Sequence, residues 1–273
     1  MMKTIRELKE QMKLIDLVIE IADARIPMSG RNPDLETLAA NKARLLILGK
    51  KDLADERITD EWLEFFRGNG LNPIAVDLRR NADLKRLNSV IRESCRAKIE
   101  RDKRRGILNR PIRALVAGIP NVGKSTFINS FSGSASVKTG NKPGVTKGRQ
   151  WIRLKNGVEL LDTPGLLWPK FEDPEVGEKI ALIGSIPDTI MNTEELSLAL
   201  IRRLGADYPE LLSERYGGDL PEDPVEVLKQ IAKSRGCLKK GGEADTEKAS
   251  ALLLDDFRHG RIGRISLERP QHD

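Results

Sequence analysis

The segment GIPNVGKST, residues 118–126, constrains this chain more than any other stretch. It matches the pattern G-x-x-x-x-G-K-S, and its flanks are the ones the pattern needs. The apolar run IRALVAG (112–118) leads into it and STFINSF (125–131), a helix-forming stretch, leads out. A strand that turns into a helix across such a loop aims its backbone N–H groups at one point, next to the positive end of the helix dipole. Gly118 opens the turn, and the N–H groups of Asn121, Val122, Gly123, Lys124, Ser125 and Thr126 are expected to cradle phosphates. Lys124 is expected to reach the β- and γ-phosphates as a point charge, and the Ser125 hydroxyl to ligate Mg²⁺.

Other short apolar runs end at chemically useful residues. IDLVIEI (15–21) runs into Asp23-Ala24-Arg25, RLLIL (44–48) into Gly49-Lys50-Lys51-Asp52, PIAV (73–76) into Asp77, and VELLD (158–162) into DTPG (162–165). Such runs, alternating with helical stretches, predict an α/β fold with a parallel sheet that binds ligands at the carboxyl ends of its strands. Asp162 stands where a carboxylate holds Mg²⁺ through its water shell, and Gly165 where an N–H meets the γ-phosphate. One β-hairpin is expected between the phosphate loop and DTPG, and the polar loop KTGNKPGVTKG (138–148) precedes DTPG, with Thr146, ahead of Thr139, as its magnesium ligand.

Guanine is read by Asn/Thr-Lys-x-Asp at a strand end. The carboxylate accepts from N1–H and N2–H, donors that adenine lacks, and the lysine stem packs on the base. Lys50 and Asp52 fit this pattern around Lys51, but Gly49 occupies the first position. The next strand ends at Asp77-Leu78, where a second base-contacting loop belongs. These residues favour GTP and GDP over ATP, and an ATPase is the disfavoured reading. The base reader precedes the phosphate loop, however, so the sequence predicts a P-loop GTPase with a circularly permuted motif order. Permutation changes connectivity and leaves packing intact.

From about residue 175 the strand runs stop. We expect a GTPase domain over 1–174 and a small all-helical domain over 175–273. NTEELSLALIRRLG opens with an N-cap Asn192 and Glu195 three residues on, carries the stripe Leu196, Ala199, Leu200 and Leu204, and stops at Gly205. DPVEVLKQIAKSRG and TEKASALLLDDFRHG repeat the pattern, and one long helix is expected from Asp83 to Arg105 with Leu84, Leu87, Ile91 and Cys95 on its inner face.

The 47 basic and 41 acidic residues leave a net charge of +6, which suits either a polyanionic partner or a solvated basic surface. Cys95 and Cys237 are far apart and read as reduced thiols. No apolar run approaches the ~20 residues that span a bilayer, and MMKTIRELKEQMKLID is too charged for a secretory signal. A cytoplasmic protein with no membrane and no DNA partner is expected. His259 and His272 are surface residues with no metal-ligand spacing.

With DARIPMSGRNP (23–33), GIPNVGKST, KTGNKPGVT, LLDTPGLLWPKFED and RGCLKKGG all in place, nearly the whole chain resembles the circularly permuted ribosome-assembly GTPases. The resemblance implies late maturation of the large ribosomal subunit, GTP turnover stimulated by that particle, and a C-terminal domain that contacts rRNA. It also implies a K⁺ held with the help of Asn121; the alternative is that Asn121 only shapes its loop. Relatives carry Asn where Gly49 stands, and a Gly-His-Met segment upstream, whereas no His precedes His259 here. Leu166 occupies the place of the water-orienting Gln of Ras-like enzymes. The catalytic base therefore stays unassigned, and a nucleotide-gated rRNA-binding scaffold with negligible hydrolysis is the rival reading. The cations expected to meet RNA are Arg202, Arg203, Lys233, Arg235, Lys239 and Lys240.

Overall fold

The structure is a computed structural model, described here over residues 12–107, 110–132, 151–154, 157–161 and 173–271. Its first part lays down β1 (Leu17–Asp23), α1 (Pro33–Leu38), β2 (Ala43–Gly49), α2 (Glu56–Gly68) and β3 (Pro73–Val76). Then follow α3 (Asn81–Ser94), α4 (Arg96–Arg104), β4 (Ile112–Ala117), α5 (Lys124–Ser132), β5 (Trp151–Arg153) and β6 (Val158–Leu161). Thr139, Thr146, Asp162, Gly165 and Leu166 lie outside the described residues.

The strands form one sheet in the order β3-β2-β1-β4-β6-β5, parallel throughout except for the β5–β6 pair. All seven residues of β1 are buried, the carboxylates Glu20 and Asp23 included, as a central parallel strand covered on both faces requires. The base-reading strands β3, β2 and β1 make one half of the sheet, and the phosphate-loop strand β4 makes the other half with β6 and β5. The β1–β4 ladder joins the two halves. The register then fixes the site: Asp23 lies beside Gly49, Gly49 beside Val76, and Glu20 beside Ala117. Every described strand end named from the sequence reaches the same edge.

After residue 173 the described regular elements are helical: α6 (Pro174–Leu182), a 3₁₀ turn at Asp188–Ile190, α7 (Thr193–Asp207), α8 (Pro209–Tyr216), α9 (Pro224–Ser234) and α10 (Thr246–Arg258). Asn192 caps α7, its side chain accepting from the Glu194 and Glu195 N–H groups. Leu196, Ala199, Leu200 and Leu204 are buried, and so are Val227, Leu228, Ile231 and Ala232 on α9.

Two boundaries differ from expectation. α7 runs through Gly205 to Asp207; Pro209, which lacks an N–H and restrains the residue before it, is what ends the helix. The long helix expected from Asp83 to Arg105 breaks at Cys95, whose N–H bonds back to the Arg92 carbonyl at 3.2 Å. This tight turn takes Cys95 into the core and redirects α4. The chain after α10 also does more than a charged tail would. The Ile265 and Leu267 N–H groups bond the carbonyls of Leu53 and Arg25, and Glu268 accepts from the N–H and hydroxyl of Ser29. The last residues thereby strap the helices to the base-reading half of the sheet.

Candidate nucleotide site

The phosphate loop takes the shape its sequence demands. A Cβ on Gly118 (φ +155°) would lie 2.4 Å from the Ile21 carbonyl oxygen, so only glycine fits between β4 and β1. Asn121 adopts a left-handed backbone, φ +58°, that asparagine tolerates better than most residues. α5 begins at Lys124, which puts the helix N-terminus under the loop.

Lys124 Nζ donates to the Gly118 and Ile119 carbonyls at 2.8 and 2.7 Å, and burial holds its pKa below the usual lysine value. Among the described residues no carboxylate pairs with it. A desolvated ammonium with only backbone oxygens for company fits an anionic ligand. Ser125 follows it on the first turn of α5. Among the described residues no cluster of acids, histidines and cysteines could hold a metal ion.

The base-reading loop sits against the phosphate loop. A Cβ at Gly49 would stand 3.5 Å from the Val122 carbonyl oxygen, an ordinary contact, and Leu78 packs over Gly123. Ser130 of α5 donates to the Leu78 carbonyl at 3.1 Å. Asp52 Oδ1 is buried and without a hydrogen-bond partner, whereas Oδ2 accepts from Arg79 at 2.6 Å. A buried orphan acceptor at this position fits the donor edge of guanine. Lys51 leaves the base loop to pair with Asp83, which also accepts from the Asp77 N–H. Lys50, at φ +57°, pairs with Asp23 at 3.1 Å.

The contacts of three residues escaped sequence reasoning, although Arg25 itself stood out at the end of its strand run. Arg79 binds Asp77 as well as Asp52, and this holds the Asp77 carboxyl below the usual carboxylate range. Arg25 pairs with Asp23 while its guanidinium lies 5.1 Å over the Phe257 ring of α10. Ser185, just past α6, donates to the Pro120 carbonyl at 2.6 Å. The first two carried a faint signal, basic residues two or three positions past a strand end; Ser185 carried none.

A central phosphate-loop strand, with base-loop strands that precede it in sequence but flank it in space, defines a P-loop GTPase of circularly permuted order. Comparison with known proteins agrees. A family model described as 50S ribosome-binding GTPase matches residues 113–206, beginning at β4 and leaving the base-reading strands upstream of it. Ribosome biogenesis GTPase A of Priestia megaterium is 43% identical over 99% of this chain and 94% of that protein. The Thermotoga maritima protein of the same name is 32% identical over 98% of this chain and 92% of that protein. The structure of GNP-bound YlqF from T. maritima superimposes with a TM-score of 0.68 at 29% identity, covering 99% of this chain and 100% of that one. The chain belongs to the ribosome biogenesis GTPase A family. Membership in a GTPase family speaks against the non-hydrolysing scaffold.

Proposed function

We propose that this GTPase is a switch that assists late assembly of the large ribosomal subunit, acting in the cytoplasm on a precursor particle and contacting its rRNA. The observation that carries the reading is the shared sheet edge: an orphan Asp52 oxygen and an anion-seeking Lys124 stand on adjacent loops of a chain whose relatives are named for ribosome biogenesis.

In this reading Asp52 selects guanine, with Gly49, Lys50, Lys51, Asp77 and Leu78 shaping the base pocket. Gly118 and the N–H groups of Asn121 to Thr126 cradle the phosphates, Lys124 neutralises them, and Gly165 meets the γ-phosphate. Ser125, Thr146 and Asp162 would hold Mg²⁺, whose charge would offset the negative charge of the phosphates. Asn121 donates its amide to the Gly184 carbonyl at 2.8 Å, which leaves Oδ1 as the atom to meet a K⁺. Residues 1–174 form the GTPase domain and 175–273 the RNA-facing domain, joined through the segment after DTPG, so γ-phosphate contacts can bias the helical domain.

Co-sedimentation with ribosomal particles tests the reading. The form loaded with a non-hydrolysable GTP analogue should pellet more completely than the GDP form, and large subunits should raise GTP turnover. Particle binding indifferent to nucleotide, with turnover unmoved by particles, would overturn it.

A further inference from the structure

The phosphate loop is held from outside the sheet. Ser185 Oγ donates to the Pro120 carbonyl at 2.6 Å, and Asn121 Nδ2 donates to the Gly184 carbonyl at 2.8 Å. Two adjacent residues of the loop are thus bonded to two adjacent residues of the turn that ends α6. This contact is direct and separate from the covalent route through DTPG.

The turn itself is firmly built. The Gly184 N–H bonds the Ala181 carbonyl and the Ser185 N–H bonds the Ile180 carbonyl, the paired pattern of a Schellman motif. Gly184 supplies the left-handed residue, φ +78°. Arg258 of α10 locks the end of the helix, donating to the Ala181 and Leu182 carbonyls and pairing with Asp188 at 2.7 Å. Any Cβ at Gly184 would press on Arg258 Nε at 3.2 Å. Ser185 is 5% exposed, so its hydroxyl must find its acceptor inside the protein, and that acceptor is the phosphate loop.

Asn121 sits in a backbone conformation that costs energy for any residue but glycine and persists only where its surroundings impose it. The N–H groups aimed at the phosphates begin at this residue. We infer that Ser185, together with the Gly184 carbonyl, is a positioning element of the nucleotide site, contributed by the helical half of the chain. It sets the shape of Pro120–Asn121 and so links occupancy of the phosphate loop to the docking of α6. The inference rests on the reading of residues 118–126 as the phosphate loop. Because coupling free energies are reciprocal, nucleotide must steady the turn as much as the turn steadies the loop.

The test uses the full chain, with calorimetric titration of GDP and hydrogen exchange over residues 174–190. In the parent, GDP should protect the amides of the α6 turn. Ser185→Ala should raise the Kd for GDP about tenfold, the loss expected for one buried hydrogen bond, and abolish that protection. Ser185→Cys, which keeps the volume with a weaker donor, should fall between the two and stands in if the alanine variant fails to fold. A variant that melts earlier yet binds GDP as the parent does, with protection intact, would make Ser185 merely structural and overturn the inference while leaving the particle-binding reading untouched. A parent that binds no GDP would overturn both.

Discussion

Arg79 reaches across from the end of β3, where its Nη2 is shared between Asp52 at 2.6 Å and Asp77 at 3.1 Å while its Nε donates to Asp77 at 2.9 Å. One guanidinium therefore ties the base-reading carboxylate to the second base loop and leaves Asp52 Oδ1 facing no partner. If that oxygen reads guanine, Asp52→Asn exchanges an acceptor for a donor opposite N1–H or N2–H. GTP affinity should drop by roughly 10-fold or more, since hydrogen bonds to charged groups are worth about 1.5–3 kcal/mol, and xanthosine nucleotides should gain. Arg79 is itself 68% exposed, so Arg79→Ala should weaken GDP only about twofold to fivefold. Nucleotide competition measures both, and equal binding of ATP and GTP by the parent would remove Asp52 from the site.

Lys124 separates binding from folding. Its ammonium is desolvated and bonded only to loop carbonyls, so the nucleotide-free fold gains little from it. Lys124→Met should leave the thermal midpoint of the free protein nearly unchanged and abolish tight GDP binding. In the parent, GDP at a hundredfold excess over Kd should add about 2.7 kcal/mol of stability; in the variant that increment should vanish. A GDP-dependent midpoint surviving in Lys124→Met would place the phosphates elsewhere.

Gly49 is the departure from the family pattern that the structure can weigh. Its Cβ position is 3.5 Å from the Val122 carbonyl oxygen and 3.6 Å from that of Ala22, distances that admit a side chain. An asparagine there could donate to Val122 and fasten the base loop to the phosphate loop. Gly49→Asn should therefore tighten GDP binding severalfold, in line with ~0.5–1.5 kcal/mol for one added hydrogen bond. Weaker binding in a folded variant would mean that the two loops are not arranged as described.

Much of the sheet was legible because parallel strands buried on both faces read as apolar runs, and each run stopped at a loop whose residues have a chemical reason to be there. The permutation followed from motif order alone. What escaped was tertiary. Arg79 meets Asp52 from 27 residues away, Ser185 meets Pro120 from 65, and Arg25 meets the Phe257 carbonyl from 232. No local pattern encodes such pairs. Cys95 lies on the apolar stripe that made one helix of two, because periodicity continues across a turn that only reorients the axis. The short strand β5 has three residues, too few for alternation to register; the sequence implied only its hairpin.

The buried pair at the end of β1 makes an acid-stability prediction. Burial alone would raise the Asp23 pKa, but Arg25 and Lys50 outweigh it and hold the carboxyl well below the usual range. A carboxylate whose pKa is depressed on folding stabilises the native state above its unfolded value, and that stability is lost as pH falls through the folded pKa. Asp23→Asn leaves Arg25 buried without its counter-charge, a change that typically costs about 3–5 kcal/mol. Urea midpoints should show the variant destabilised at neutral pH, with a shallower decline into acid than the parent. Parallel pH profiles would assign the acid sensitivity to other carboxylates.

The surface cations expected from sequence to meet RNA divide once their partners are known. Arg203 bonds Glu178 at 2.8 and 3.0 Å and pairs with Glu175, which ties α7 to α6. Arg235 donates to the Arg215 carbonyl and lies 5.3 Å over the Tyr216 ring, fastening the end of α9 to α8. Arg202, Lys233, Lys239 and Lys240 are exposed, the last two on the turn closed by the Leu238–Ala244 bridge. If the helical half contacts rRNA, these four carry the phosphate contacts, each releasing counterions. Affinity should then fall as a power of salt concentration, with a slope that shrinks by about one for each contact removed. Neutralising Lys233, Lys239 and Lys240 together should weaken particle binding and flatten that slope by about three, with GTP affinity unchanged. Arg203→Gln should lower the thermal midpoint and leave the slope alone. Filter-binding titrations across a salt series separate these outcomes. A triple variant with the parent's slope would move the RNA contact off this face of the helical half.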